Sequence, residues 1–308
     1  MKEKILLATK KPFARAAREE VVKILKEAGG GVEVLEDYQE ESQLLQAVKD
    51  ANALIVRSDK ITPEVMDVAP ELKLVVRAGA GYDNIDCEAA KERNIVVMNT
   101  PGQNSNAVAE LAVGLMIMSA RGKFNGKPGT ELKGKTLGLQ GFGNVGKCLA
   151  RIAGTGLGMK VTAYDPYLPP EKIKEAGVEP LDSLEKLYRE SDYISLHIPA
   201  CPETHQSINY DLLKVMKEGA VLVNTARGEV IHEKDLLKIY RERPDISYIS
   251  DIAPDNKEEI MACDGNRCFF TPKKMGAQTA EANVNAGVAA ARQIIAFFEK
   301  GDTTFQVN

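Results

Sequence analysis

Thr136-Leu-Gly-Leu-Gln-Gly-Phe-Gly-Asn-Val-Gly146 runs from a short apolar segment into three glycines spaced G-x-G-x-x-G. A helix-like run through Leu149, Ala150 and Ile152 follows. Asp165 stands 19 residues after Gly146, at the end of a second strand-like run, Lys160 to Tyr164. Strand, glycine turn, helix and spaced acid together make the dinucleotide fingerprint. Gly141 permits the tight turn, Gly143 lets the backbone approach a pyrophosphate, and Gly146 lets helix pack on strand. The pyrophosphate then meets N–H groups at the positive end of the helix. Asp165 would accept from the ribose hydroxyls of NAD and repel the extra phosphate of NADP. No arginine adjoins it, so NAD is the expected cofactor. Taken alone, an aspartate before Pro166 also fits an ordinary turn.

Working outward, the first 100 residues alternate strand and helix signals. Ile5–Ala8, Val32–Leu35, Ala53–Val56, Leu74–Val76 and Ile95–Met98 are short apolar runs. Between them lie helical patterns such as Ala14–Ala28, with Val21, Val22 and Leu25 on one face. Such alternation predicts a parallel α/β sheet. Ser105 to Ala120 reads as a long helix, Gly122 to Gly134 as a loop, and Thr279 to Glu299 as a closing helix. A second alternating region starts at the fingerprint. The tail from Phe305 either returns to the first sheet or frays.

The chain has 308 residues, room for two domains of ~100–200 residues. Its net charge of −4 gives no general attraction to nucleic acid. No apolar stretch reaches the ~18–20 residues that span a bilayer, and the charged N-terminus does not read as a signal peptide. Five cysteines without a C-x-x-C pair suit a reducing cytosol, which predicts a cytoplasmic protein. The three histidines, His197, His205 and His232, have no metal-ligand spacing, so no metal site is expected.

The chain resembles the D-isomer-specific 2-hydroxyacid dehydrogenases, and within them a short form similar to D-3-phosphoglycerate dehydrogenase without C-terminal regulatory domains. The resemblance covers nearly the whole chain. It rests on Val56-Arg57-Ser58, Arg77-Ala-Gly-Ala-Gly-Tyr-Asp-Asn84, Asn99-Thr-Pro-Gly102, Asn106-Ala-Val-Ala-Glu110 and Glu131-Leu-Lys-Gly-Lys-Thr-Leu-Gly138. It continues through the fingerprint, Leu196-His-Ile-Pro199, Asn224-Thr-Ala-Arg-Gly228 and Gly276-Ala-Gln-Thr-Ala-Glu-Ala282. It implies two doubly wound α/β domains with parallel sheets. A flavodoxin-like substrate domain would span 1–101 plus 283–308, with a Rossmann NAD-binding domain, 102–282, inserted into it and a cleft at their junction.

By the same resemblance, Arg227 is the catalytic arginine. A guanidinium grips a carboxylate in bidentate fashion and can polarise a C2 carbonyl. Gly79 and Ala80 match the amides that hold the substrate carboxylate, Arg57 the position that contacts a substrate phosphate, and Asn104 a substrate-seating residue. Phe142, Gly143, Asn144 and Val145 match the pyrophosphate turn. His197, Pro199 and Thr204 match the loop over the adenosine ribose, so His197 is not the expected base. Asp251 matches the aspartate that helps hold the nicotinamide carboxamide, and Val108, Ala226 and Gly276 complete the cofactor contacts. A homodimer is implied, although only Gly122 to Pro128 stand where relatives carry a longer dimerisation arm. Feedback through a C-terminal domain is not expected.

The chain departs from the family at its usual base, a histidine directly after Thr-Pro paired with a glutamate. Here Thr271-Pro272 is followed by Lys273-Lys274-Met275-Gly276, and Asn256 stands five residues after Asp251, where the glutamate is usual. A lysine can take the proton when burial and a neighbouring positive charge favour its neutral form. Lys273 or Lys274 is therefore the expected acid/base, and the sequence leaves open which. The rival role for both is electrostatic binding of a substrate phosphate.

The leading expectation is NAD-dependent oxidation of 3-phosphoglycerate to 3-phosphooxypyruvate, the entry to serine synthesis. A phosphorylated hydroxyacid would be the substrate, with no nucleic acid or membrane partner. Two alternatives stand beside it: a reductase of glyoxylate, hydroxypyruvate or another D-2-hydroxyacid, and a non-catalytic NAD-sensing protein.

Overall fold

The computed structural model describes residues 1–308 and divides into two compact units, Met1–Asn104 with Gln278–Asn308, and Ser105–Ala277. The first holds a five-stranded parallel sheet of β1 (Lys4–Thr9), β2 (Gly31–Glu36), β3 (Ala53–Val56), β4 (Leu74–Arg77) and β5 (Val96–Asn99). Its order is β2-β1-β3-β4-β5, the flavodoxin-like winding. Successive side chains feed opposite cores. Ile5, Leu7, Ala53, Ile55, Leu74 and Val76 pack with the helices Arg15–Glu27 and Ala280–Lys300. Leu6, Ala8, Leu54, Val56, Val75 and Val97 face the other core. Burial on both faces is why β1, β3, β4 and β5 read as apolar runs, whereas β2 at the edge is largely exposed.

The helix Ala280–Lys300 lies close against Arg15–Glu27. A Cβ on Gly287 would stand 2.8 Å from Val21 Cγ2, so glycine permits that approach. The tail returns to the sheet: Gln306 bridges Met98, and Val307 N donates to the Val97 carbonyl at 2.9 Å.

The second unit holds a seven-stranded parallel sheet, β6 (Thr136–Gln140), β7 (Lys160–Tyr164), β8 (Glu179–Pro180), β9 (Tyr193–Leu196), β10 (Val221–Asn224), β11 (Ser247–Ser250) and β12 (Cys268–Phe270). The order β12-β11-β10-β9-β6-β7-β8 reverses between β6 and β9, the Rossmann winding. Leu137, Leu139, Val221 and Val223 enter one core, and Ile194, Leu196 and Leu222 the other. The segment read as a loop after Arg121 contains one tight turn, Gly122–Phe124, with Lys123 and Phe124 at positive φ.

The units change over at 104/105 and 277/278 rather than at 101/102 and 282/283. Two helix starts set these points. Ser105 begins the helix Ser105–Ala120, whose Ala109, Ala112 and Leu115 belong to a core of the second unit. Thr279 caps the helix Ala280–Lys300, its Oγ1 accepting from Ala282 N at 3.1 Å, so that helix enters the first unit whole. No helix is long and apolar enough to cross a membrane.

Candidate active site

The glycine turn joins β6 to the helix Asn144–Arg151. Gly141 adopts φ +93°, and a Cβ there would stand 2.7 Å from the His197 carbonyl oxygen. A Cβ on Gly146 would stand 2.6 Å from the Gly141 carbonyl oxygen. Both positions therefore need glycine for the chain's own packing. Gly143 differs, since a Cβ there would meet nothing within 4 Å. It precedes the helix, whose N-terminus has no side-chain cap and no acid in its first turn. Open space beside uncapped N–H groups of Asn144 and Val145 suits a pyrophosphate. Asp165, just past β7, accepts from Phe142 N at 2.8 Å and Tyr167 N at 2.9 Å. Each carboxylate oxygen accepts more than one hydrogen bond, which leaves capacity for ribose hydroxyls. These residues fit a bound NAD.

Beside the turn, His197 N donates to the Gln140 carbonyl at 2.8 Å. Its Nε2 is sealed from solvent without a partner, and burial pushes its pKa down to about 4. The imidazole is therefore neutral near pH 7. Thr204 ties the next loop together: its Oγ1 donates to the Pro199 carbonyl at 2.6 Å and accepts from Cys201 N at 2.9 Å.

At the carboxyl end of β10, buried Asn224 shapes the Thr225–Arg227 loop. Its Oδ1 accepts from Ala226 N, and its Nδ2 donates to the Arg227 carbonyl, both at 2.9 Å. Arg227 Nη1 and Lys274 Nζ both donate to the Ala226 carbonyl oxygen, at 3.2 and 2.7 Å. Asp251, past β11, is fully buried and holds the lysine-bearing segment. It accepts from Met275 N at 2.6 Å, Gly276 N at 2.8 Å and Thr271 Oγ1 at 3.2 Å. A Cβ on Gly276 would stand 3.0 Å from Asp251 Oδ2 and 3.3 Å from Val108 Cγ2, so glycine sets this close packing too. The Lys273 carbonyl accepts from Thr271 Oγ1 at 2.8 Å. Both lysines are exposed, so the burial expected to favour a neutral lysine is not found, and only the neighbouring charge of that expectation remains. Asn256 turns to other work, donating through Nδ2 to the Glu233 carbonyl at 2.9 Å.

In the first unit, Arg57 follows β3. Its Nη1 donates to the Lys11 and Pro12 carbonyls at 3.1 and 3.0 Å, and its Nη2 to Asn283 Oδ1 at 2.6 Å. The guanidinium lies over the Phe13 ring, 5.1 Å from its centroid, and burial lowers its pKa from the ordinary arginine value. The Gly79–Ala80 loop follows β4. Gly79 N donates to the Arg77 carbonyl at 2.8 Å, and Asn99 Nδ2 donates to the Ala80 carbonyl at 2.6 Å. Gly79 has φ +153°, a backbone conformation that favours glycine, and a Cβ there would also displace the Arg77 guanidinium, 1.4 Å from its Nη1. Asn104 is the last residue before the crossover to the second unit. Asn224 and Arg77 stand outside the residues expected to act, yet both shape the site's loops. A polar residue ending an otherwise apolar strand run was the available signal for Asn224.

Residues 113–272 match the model of the D-isomer specific 2-hydroxyacid dehydrogenase NAD-binding domain. Among curated relatives, the chain is 39% identical over 293 residues to a D-3-phosphoglycerate dehydrogenase of Methanocaldococcus jannaschii, covering 90% of this chain and 55% of that protein. It thus spans about half of that relative's length. It is 38% identical over 283 residues to a hydroxypyruvate reductase of Thermotoga maritima, covering 85% of this chain and 90% of that protein. The crystal structure of NAD+-bound 3-phosphoglycerate dehydrogenase from Entamoeba histolytica is similar with a TM-score of 0.90 and 46% identity, covering 100% of this chain and 99% of that one. The matched domain, these similarities and a turn shaped for a dinucleotide place the chain in the family of D-isomer specific 2-hydroxyacid dehydrogenases, oxidoreductases that use NAD.

Proposed function

We propose that the chain oxidises 3-phosphoglycerate to 3-phosphooxypyruvate, with Arg227 holding the substrate and Lys274 moving the proton. The observation that carries this reading is the shared Ala226 carbonyl, which sets Lys274 Nζ beside Arg227 at the carboxyl end of β10. Ligands of open parallel sheets gather at that end of the strands. Arg227 grips the carboxylate and polarises the C2 oxygen. Lys274, in its uncharged form, takes the 2-hydroxyl proton as the C2–O bond becomes a carbonyl. NAD, when bound, accepts the hydride that leaves C2. Asp251 and Asn224 act through the main chain, one holding the lysine segment and the other the arginine loop. Asp251 thereby serves as a positioning residue in addition to the carboxamide contact expected of it.

In the first unit, the Gly79–Ala80 loop is proposed to hold the carboxylate and Arg57 the phosphate. Arg57 has spent three donor bonds on Lys11, Pro12 and Asn283, which leaves its Nε and one Nη2 hydrogen for a ligand. That commitment favours a second reading, a reductase of an unphosphorylated acid such as hydroxypyruvate, in which Arg57 is structural. The deciding experiment compares kcat/KM for phosphooxypyruvate and hydroxypyruvate in the native chain and in Arg57→Met. The phosphoglycerate reading expects a preference of about a hundredfold for the phosphorylated acid, lost in the variant. Equal rates for both acids, unchanged by the substitution, would sink it. No NADH oxidation with any 2-oxoacid would instead favour an NAD-sensing protein.

A further inference from the structure

The first unit contains a cavity of about 350 Å³ that uses none of the residues given a role above. Its walls are one face of the helix Ala280–Lys300, the end of β5 and the returning tail. Gly301, in the left-handed region at φ 66°, ends the helix, and Asp302 then accepts from Thr304 N at 2.9 Å and Thr304 Oγ1 at 2.6 Å. Asn308 closes the tail onto β5, its Oδ1 accepting from Val97 N at 2.9 Å and its Nδ2 donating to the Ile95 carbonyl at 2.8 Å. The tail is therefore a fixed wall.

The floor is apolar, formed by Met98, Val288, Ala289 and Phe305. Six polar side chains also line the cavity, among them its only two charged ones, Arg292 and Asp302, and Gln293. Gln293 is only 8% exposed. Its Nε2 donates to the Asn99 carbonyl at 3.0 Å, whereas its Oε1 is buried with no partner. One guanidinium and one carboxylate, the only charges of the lining, stand beside an apolar floor.

We propose that this cavity binds a small zwitterion, an α-amino acid with an apolar side chain. Arg292 takes the carboxylate, the Asp302 carboxylate takes the ammonium, and the side chain lies on the Met98–Phe305 floor. The volume lies at the small end of the range for small-molecule sites. The proposal is independent of the reaction proposed above, because every lining residue lies in the first unit and none holds NAD.

Thermal unfolding of the full chain with L-leucine at millimolar concentration tests it. Leucinamide, which lacks the carboxylate, and 4-methylpentanoate, which lacks the ammonium, serve as truncated probes. L-leucine is expected to raise Tm by preferential binding to the native state, and each truncated probe to bind about tenfold or more weakly. Arg292→Met, at an exposed position, should weaken L-leucine by a similar factor, and Ala289→Phe, which fills the floor, should abolish the shift. NAD should still raise Tm in both variants, which shows that they fold. The proposal is overturned if L-leucine, L-valine and L-phenylalanine all leave Tm unchanged. It is also overturned if leucinamide matches L-leucine, or if the shift survives Ala289→Phe.

Discussion

Lys274 and Arg227 donate to one main-chain oxygen, the Ala226 carbonyl, from segments that follow β12 and β10. By those two bonds Arg227 Nη1 and Lys274 Nζ are no more than about 6 Å apart. Lys273, its neighbour in sequence, contributes its carbonyl to the same turn through Thr271. Lys274→Ala should therefore lower kcat by ~10²–10⁴-fold with NAD affinity nearly unchanged, the scale of a lost acid/base. Lys273→Ala should lower kcat by less than about tenfold, short of that scale. Steady-state kinetics of both variants decide this. The reverse ranking would move the role to Lys273, and two mild effects would remove lysine from proton transfer.

The glycine turn separates stability from cofactor binding. Gly146→Ala places a Cβ 2.6 Å from the Gly141 carbonyl oxygen, backbone that cannot swing aside. It should lower stability by about 1–3 kcal/mol, the usual scale of overpacking. Gly143 has φ −73°, and its Cβ would meet no protein atom within 4 Å. Gly143→Ala should leave Tm of the NAD-free chain unchanged and weaken NAD by about tenfold or more, because the methyl enters space a pyrophosphate needs. Thermal unfolding with and without NAD tests both. A destabilised Gly143→Ala chain would show that the turn is packed more tightly than its geometry indicates.

The split between what sequence conveyed and what it did not follows sequence distance. β3, β6 and β7 have the limits read from their apolar runs, because strands buried on both faces have few other ways to look. The helix Ser105–Ala120 was legible from its apolar spacing. The glycine turn was legible because its chemistry is local, fixed by neighbours within a few residues. The tail's course required the structure, since Val307 pairs with Val97 more than two hundred positions away. The same holds for Arg57, whose Nη2 partner Asn283 lies 226 residues on. A strand-end arginine looks available to a phosphate in sequence, whereas three of its donor bonds are made within the first unit. Asn256 tells the same lesson in reverse: its place in sequence matches a dyad partner, yet its amide caps the Glu233 carbonyl.

Asp165 holds the turn, accepting from Phe142 N and Tyr167 N. On the reading proposed for the site, its charge also opposes a ribose phosphate. Asp165→Ser removes that charge and loosens the turn together. Use of NAD and of NADP should both weaken from the loosening, but NAD more, so the ratio of their kcat/KM values falls by about tenfold or more. A ratio that does not move would show that discrimination lies elsewhere.

His197 makes acid stability a test of the packing under the glycine turn. Burial lowers its pKa to about 4 from an ordinary value of 6.5, because Nε2 is sealed without a partner although the residue as a whole is partly exposed. Between those values the unfolded chain binds a proton that the native chain refuses. The stability from this group is thus complete above pH 6.5, falls as the pH drops through that value, and stops falling near pH 4. The full span is about 3 kcal/mol, at 1.36 kcal/mol per pKa unit. Urea unfolding between pH 4 and 7 should show this loss in the native chain and a flatter curve in His197→Gln, whose amide does not titrate. Should the two curves run parallel, His197 Nε2 is reached by water, and the wall of the turn is open where the structure closes it.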